Sequence, residues 1–255
     1  MLAITRKNEI KDIILDKKSI TVTELSKRFS VTEETIRRDL KQLEEEGVLI
    51  RTYGGAFIQD GVENNVDLNL RKSAYVQSKA SIARCSKQFI HNGDSLFIDS
   101  STTSLALAKE ISDMRLTVMT NSLLIINELH DKPNIRLIAI GGNYSSVDQA
   151  FGGLNSNLTL QKYYLDKAFV SCRTLSLENG ITDSIESIAE IRQIAIRRSK
   201  EIYVIADYSK FNHTSFVHIC DYDDVDYIVS DYEPTDEWLT LFQKHNVRYC
   251  HAKES

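Results

Sequence analysis

Thr21 to Ala56 reads TVTELSKRFSVTEETIRRDLKQLEEEGVLIRTYGGA, and this stretch decides the fold of the N-terminal part. Ile36, Leu40 and Leu43 recur at i, i+4 and i+7, which predicts a helix from about Thr32 with one buried stripe. At about 100° per residue, Glu34, Arg37, Arg38 and Lys41 turn to the opposite face. Thr32 suits an N-cap, because its hydroxyl can satisfy a free first-turn N–H. Val22, Leu25 and Phe29 mark a shorter helix before it, with Thr21 and Glu24 spaced as a capping box.

Working outward, Ile10, Ile13 and Ile14 mark a first helix. Gly47 stops the long helix, and Val48 to Tyr53 reads as a strand before Gly54-Gly55. Three helices and a small hairpin make a winged helix-turn-helix over residues 1–56, a unit that lays its second motif helix in the major groove of DNA. Basic residues on a helix are more often a plain solvated face. The order of capping box, turn, TIRRDL and glycine stop carries the reading instead. Candidate DNA contacts are Thr32, Thr35 and Arg37, with Thr35 and Arg37 aimed at base edges, and Arg38, Lys41, Arg51 and Tyr53 aimed at phosphates.

Residues 57–70 lack a strong period and are rich in Asn, Asp and Gly, so 57–74 reads as a linker. From Tyr75 to Ser255, short apolar runs alternate with helical stretches. Strands are expected at 95–98, 116–119, 135–140, 167–171, 201–206, 227–229 and 247–250, and helices at 78–90, 103–111, 123–129, 184–198 and 237–244. That alternation predicts an α/β domain with a mostly parallel sheet covered on both faces. The 255 residues suffice for two cores. No apolar run approaches the roughly 20 residues that span a bilayer, and the N-terminus is amphipathic rather than a signal peptide, so a cytoplasmic protein without membrane contact is expected.

The net charge of −5 argues against a nucleic-acid partner, but its distribution does not. Residues 1–56 carry 11 Lys/Arg against 10 Asp/Glu, whereas the remainder carries 20 against 26. An acidic body repels DNA and leaves binding to a local basic surface. Cys85, Cys172, Cys220 and Cys250 are far apart in sequence with no C-x-x-C pair, which indicates reduced thiols and no zinc site. No metal or cofactor is expected. The six histidines show no ligand spacing, and Arg192, Arg197 and Arg198 read as solvated.

Ligands of open α/β sheets bind outside the carboxyl ends of the strands. Those ends deliver Asp99, Ser100, Ser101, Thr102 and Thr103 into one helix start, and Thr120, Asn121 and Ser122 into another. Gly141 and Gly142 end a third strand, and Asp207 and Lys210 follow a later one. Hydroxyls and free N–H groups at a helix start favour an anion, glycines admit a close backbone approach, and lysine supplies a point charge. Singly, these residues are ordinary caps, turns and surface pairs. Together they suggest a pocket for a small phosphorylated polyol.

The chain resembles the DeoR family of bacterial transcriptional regulators over nearly its whole length. The N-terminal signature is VTEETIRRDLKQLEEEGVLIRTYGGA, and the second domain carries DSSTT, VMTNS, AIGG, GIT and ADYSKF. The resemblance implies a C-terminal domain similar in fold to ribose-phosphate isomerases that binds a phosphorylated sugar. It also implies a repressor of a carbohydrate operon that leaves its double-stranded operator when the sugar binds. Ser101 stands where the family's D-S-G-T-T loop has glycine, and Ser171-Cys172-Arg173 departs from a small, glycine-containing segment. A homodimer or homotetramer is expected, assembled through residues 75–255, because one winged helix buries too little surface to select an operator. An active sugar-phosphate isomerase with a DNA-binding appendage and a ligand-free scaffold are the competing readings.

Overall fold

The computed structural model describes residues 2–58 and 68–253, in two compact units that divide after Val76. In the first, α1 (Ala3–Lys17) leads through β1 (Ser19–Thr21) into α2 (Val22–Phe29) and α3 (Glu33–Glu45). Then follow β2 (Ile50–Thr52), β3 (Gly55–Phe57) and α4 (Leu68–Ser73). Ile10, Ile14, Leu25, Ile36, Leu40 and Leu43 form one core, as the helical spacing requires. Thr21 Oγ1 accepts from Glu24 N at 3.1 Å, and Glu24 Oε2 accepts from Thr21 N at 3.0 Å, so the capping box is closed on both sides. Gly47 ends the α3 region with φ +73°.

The wing is a three-stranded antiparallel sheet in the order β1-β3-β2, not the simple hairpin expected. β1 is the added strand. It is three residues long, too short to show a period in the sequence. The tight pairing of β1 with β3 requires glycine at position 55, where a Cβ would lie 2.2 Å from Ile20 O. Residues 57–74 are also not linker throughout. Phe57 belongs to β3, and α4 buries Leu68 and Leu70. The middle of that span, 59–67, lies outside the described residues.

The second unit runs α5 (Val76–Lys87), β4 (Ser95–Ile98), α6 (Thr102–Glu110), β5 (Leu116–Thr120), α7 (Leu123–Leu129) and β6 (Ile135–Ala139). A hairpin of β7 (Asn143–Ser145) and β8 (Ala150–Gly152) precedes α8 (Leu154–Leu160) and β9 (Leu165–Val170). Next come β10 (Thr174–Ser176), β11 (Gly180–Asp183), α9 (Glu186–Arg197), β12 (Ser199–Ile205) and β13 (Val217–Cys220). The chain closes with β14 (Tyr227–Ser230), α10 (Asp236–Lys244) and β15 (Arg248–His251).

Seven strands form one sheet in the order β15-β14-β12-β9-β4-β5-β6, and its pairings are parallel. Successive residues of a strand point to opposite faces. Leu96, Ile98, Val118, Phe169, Tyr203 and Ile205 therefore join one core with residues of α5, α6 and α7. Phe97, Met119, Ala168, Val170 and Val204 join another with residues of α9 and α10. Sheets buried on both faces read as continuous apolar runs, as β4 and the IYVI end of β12 do.

One ion pair of the first unit has no counterpart in the sequence reading. Arg6 Nε donates to Asp39 Oδ2 at 2.6 Å, joining α1 to α3, with both side chains buried. Removing one partner strands the other charge in the core, at a cost of about 3–5 kcal/mol. Asp39→Ala is expected to speed hydrogen exchange of α1 and α3 amides accordingly, while Arg6→Met/Asp39→Leu recovers most of the protection.

Candidate functional site

From β4 the chain steps to β5 and β6 on one side of the sheet, whereas β9, β12, β14 and β15 lie on the other. The carboxyl ends of β4 and β9 therefore form the topological switch point, where such sheets bind ligands. Asp99 leaves β4 there and is fully enclosed. Its Oδ1 accepts from Ser101 N at 3.0 Å and from the Ser104 hydroxyl. Its Oδ2 accepts from Ser171 N at 2.8 Å and from Arg192 Nε at 2.6 Å. Arg192 also donates to Asp183 at the end of β11. Burial alone would raise the Asp99 pKa, but the Arg192 charge and these three other donors outweigh it and hold the carboxyl below its usual range.

Two expectations change here. Arg192 is buried in α9 rather than solvated. The helical period gave the signal, because Arg192 stands four residues after Ile188 and beside Ile191 on the buried stripe. Asp99 cannot read sugar hydroxyls, because four donors already fill its roughly four lone-pair sites.

Around this network, Ser101 caps α6, its Oγ accepting from Ser104 N at 2.9 Å. Ser100 and Thr103 are buried, and Thr102 is half-buried at the first helical position. First-turn N–H groups have no intrahelical partner and carry the positive end of the helix dipole. At the end of β5, Thr120 Oγ1 accepts from Ser122 N at 3.1 Å, and Ser122 Oγ accepts from Ile125 N at 3.3 Å to cap α7. Asn121 is wholly buried, with Nδ2 donating to Phe151 O at 2.9 Å. Its Oδ1 has no partner among the described residues. A buried acceptor left unmade costs about 1–3 kcal/mol; Ser86 Oγ, Asn157 Oδ1 and Ser199 Oγ are in the same state among the described residues.

Asp207 is buried and caps the 3₁₀ turn Tyr208–Lys210, accepting from Ser209 N at 3.1 Å and from the Ser209 hydroxyl. Lys210 is half-buried on that turn. Cys172, at the end of β9, brings these groups to one place. Burial pushes its thiol up to about 12 against the nearby charges of Arg192 and Lys210, while Asp183 and Asp207 act with burial. The ends of β9, β11 and β12 thus lie near the middle of α9; the strand-end pattern points to Asp207 and Lys210 but not to Cys172, Asp183 or Arg192.

Gly141 and Gly142 do not join them. They follow β6, the edge strand, and are exposed. A Cβ at Gly142 would lie 2.1 Å from Ser156 Oγ and 2.7 Å from Gly152 O. The glycine is required by packing against the chain itself rather than by a ligand.

In the first unit, Thr32 Oγ1 accepts from Thr35 N at 3.3 Å, and the two hydroxyls lie 3.0 Å apart at the exposed entrance of α3. Arg38, Lys41 and Tyr53 are exposed. Arg37 is engaged elsewhere. It donates to Tyr53 O at 2.7 Å and Glu33 Oε2 at 3.0 Å, and its guanidinium lies 5.4 Å from the Tyr53 ring centroid. Arg51 Nε donates to Glu44 Oε2 at 2.6 Å. Both arginines hold the wing against α3 in the free chain, a use that spacing alone does not reveal.

Fold and site define a two-part regulator, with a DNA-binding unit followed by a ligand-sensing α/β unit. The DeoR-like helix-turn-helix domain matches residues 6–61, and the DeoR C terminal sensor domain matches residues 75–232. The chain belongs to the DeoR family of transcriptional regulators. It is 38% identical to the uncharacterized HTH-type transcriptional regulator YulB of Bacillus subtilis, over 91% of this chain and 90% of that one. It is 29% identical to the lactose phosphotransferase system repressor of Staphylococcus aureus, over 92% and 95%. Among solved structures, ribose 5-phosphate isomerase A of Methanocaldococcus jannaschii aligns over 52% of this chain and 53% of its own, with 14% identity and a TM-score of 0.39. So slight a likeness bears on neither ligand nor reaction. No described helix is long and apolar enough to cross a membrane.

The buried ion network sets a pH dependence. Asp99 has a depressed native pKa, so its contribution to stability is present above its unfolded pKa of about 3.9 and is lost as pH falls through the native value. Without Arg192, the buried Asp99 carboxylate loses its counter-charge, a loss that protonation relieves. Arg192→Met should therefore destabilise the second unit by about 3–5 kcal/mol at pH 7, with the deficit shrinking toward pH 3. Urea unfolding followed by Trp238 fluorescence, the one tryptophan, measures this.

Proposed function

We propose that the chain is a repressor of a carbohydrate-metabolism operon that leaves its operator when a phosphorylated sugar fills the crevice at the β4–β9 switch point. The unpartnered, buried Oδ1 of Asn121 carries this reading. It needs a donor, which a sugar hydroxyl provides, and it sits one strand from the α6 N-terminus, which suits phosphate. Thr102 and Thr103 would give hydroxyl and backbone hydrogen bonds to the phosphate, and Lys210 would add charge. Ser100, Ser101, Thr120 and Ser122 shape the loops that present these groups. Charge-assisted hydrogen bonds are roughly twice as strong as neutral ones, so the phosphate supplies most of the affinity. The lactose phosphotransferase system repressor among the relatives favours repression of sugar-related genes.

A ligand at about 100 times its Kd stabilises the native protein by roughly 2.7 kcal/mol. A thermal-shift panel of sugar phosphates is expected to find such a compound, while its unphosphorylated sugar leaves the melting temperature unchanged. Thr102→Val and Lys210→Ala should each remove most of that shift. Retention of the full shift by both variants would place the pocket elsewhere.

The same geometry disfavours Asp99 as the general base of an isomerase. A general base needs a free lone pair near the substrate, and both oxygens of Asp99 are occupied. In this reading residues 75–255 would carry sensing and assembly as a homodimer or homotetramer, and a DNA partner is consistent with the cytoplasm.

On the DNA side, Thr35 faces base edges, and Arg38, Lys41 and Tyr53 face phosphates. Arg38→Ala should weaken binding to every duplex alike and lower the salt slope by about 1. Arg37→Ala should loosen the wing and cost affinity as well. Fluorescence anisotropy on operator and random duplexes across a salt series checks both.

A further inference from the structure

Cys85 on α5 and Cys250 on β15 are 165 residues apart in sequence, yet their Sγ atoms lie 2.6 Å from one another. Both are free thiols at half-buried positions. Gln88 Nε2 donates to both sulfurs, at 3.2 Å to Cys85 and 3.6 Å to Cys250. The other two cysteines, Cys172 and Cys220, are buried. We propose that Cys85 and Cys250 form an oxidisable dithiol that closes to an intramolecular disulfide when a peroxide reaches the protein.

One sulfur attacks hydrogen peroxide, the O–O bond breaks, and a sulfenic acid and water form. The second sulfur then attacks the first, the S–S bond forms, and the S–O bond breaks with loss of a second water. Two thiols lose two protons and two electrons, and the peroxide gains them. The second step is intramolecular between groups already in contact, so it outruns further oxidation. Burial, reinforced by the neighbouring Cys250, pushes the Cys85 thiol up to about 12. The thiolate is the reactive form, so closure is slow with dilute peroxide and faster above neutral pH. The bond would staple α5, the first helix of the sensor unit, to the last strand at the sheet edge. Closing so long a loop restricts the unfolded chain and raises stability.

The test treats the full chain with hydrogen peroxide, followed by peptide mapping without reduction and thiol counting in denaturant. The expected result is a linked Cys85–Cys250 peptide, a mass lower by two hydrogens, a fall from four titratable thiols to two, and a melting temperature several degrees higher. Dithiothreitol should restore all four thiols. Cys85→Ser and Cys250→Ser should yield no linked peptide at the same dose. Four unchanged thiols at a dose that oxidises methionine would overturn the proposal. So would sulfinic acid at either cysteine without a crosslink, or a disulfide found only between chains.

Discussion

The guanidinium of Arg192 lies between the carboxylates of Asp99 and Asp183, and the sensor unit depends on that contact. It fastens α9 to the ends of β4 and β11, and through Asp99 it fixes the start of the loop after β9. Buried charges are costly unless every lone pair and proton finds a partner, and here Asp99 is fully served. The network therefore braces the carboxyl ends of β4 and β11 against α9, with the Asp99 oxygens fully used. In the proposed function, recognition falls to the α6 N-terminus, the Asn121 oxygen and Lys210. That division separates a rigid support from a small set of polar contacts, which is how preorganised sites keep their geometry.

The DNA-binding unit follows a similar rule. Arg6 and Asp39 are buried to lock α1 on α3, and Arg37 and Arg51 tie the wing to α3 through Tyr53 and Glu44. The TIRRDL segment thus supplies two structural members, Arg37 and Asp39, and one exposed cation, Arg38. Two adjacent arginines of equal apparent merit in the sequence differ because a helix turns about 100° between them.

Much of this was legible in the chain. Period-3.6 patterns located α1 to α3, and short apolar runs located the seven parallel strands, because those segments are long or apolar enough to stand out. The three-residue strands β1, β7, β8 and β10 were missed, since no periodicity fits in three residues. α4 and α8 were missed because LNLRKS and LNSNLTL are short and carry few apolar positions. At the site, the cap residues Thr32, Ser101, Ser122 and Asp207 stand at helix starts as their types suggest. The occupancy of Asp99 depends in part on Ser171 and Arg192, 72 and 93 residues away, and the packing role of Gly142 depends on Gly152 and Ser156 in the following hairpin and helix, which local spacing cannot encode.

The account's central claim is that one crevice senses a phosphorylated sugar and thereby governs DNA binding. Coupling of this kind is reciprocal. The most direct measurement titrates the stabilising sugar phosphate by calorimetry into the free protein and into its complex with an operator duplex selected from random DNA. The account predicts weaker binding to the complex, by the same factor by which the sugar phosphate weakens the operator. Equal affinity for the free and DNA-bound protein would contradict it.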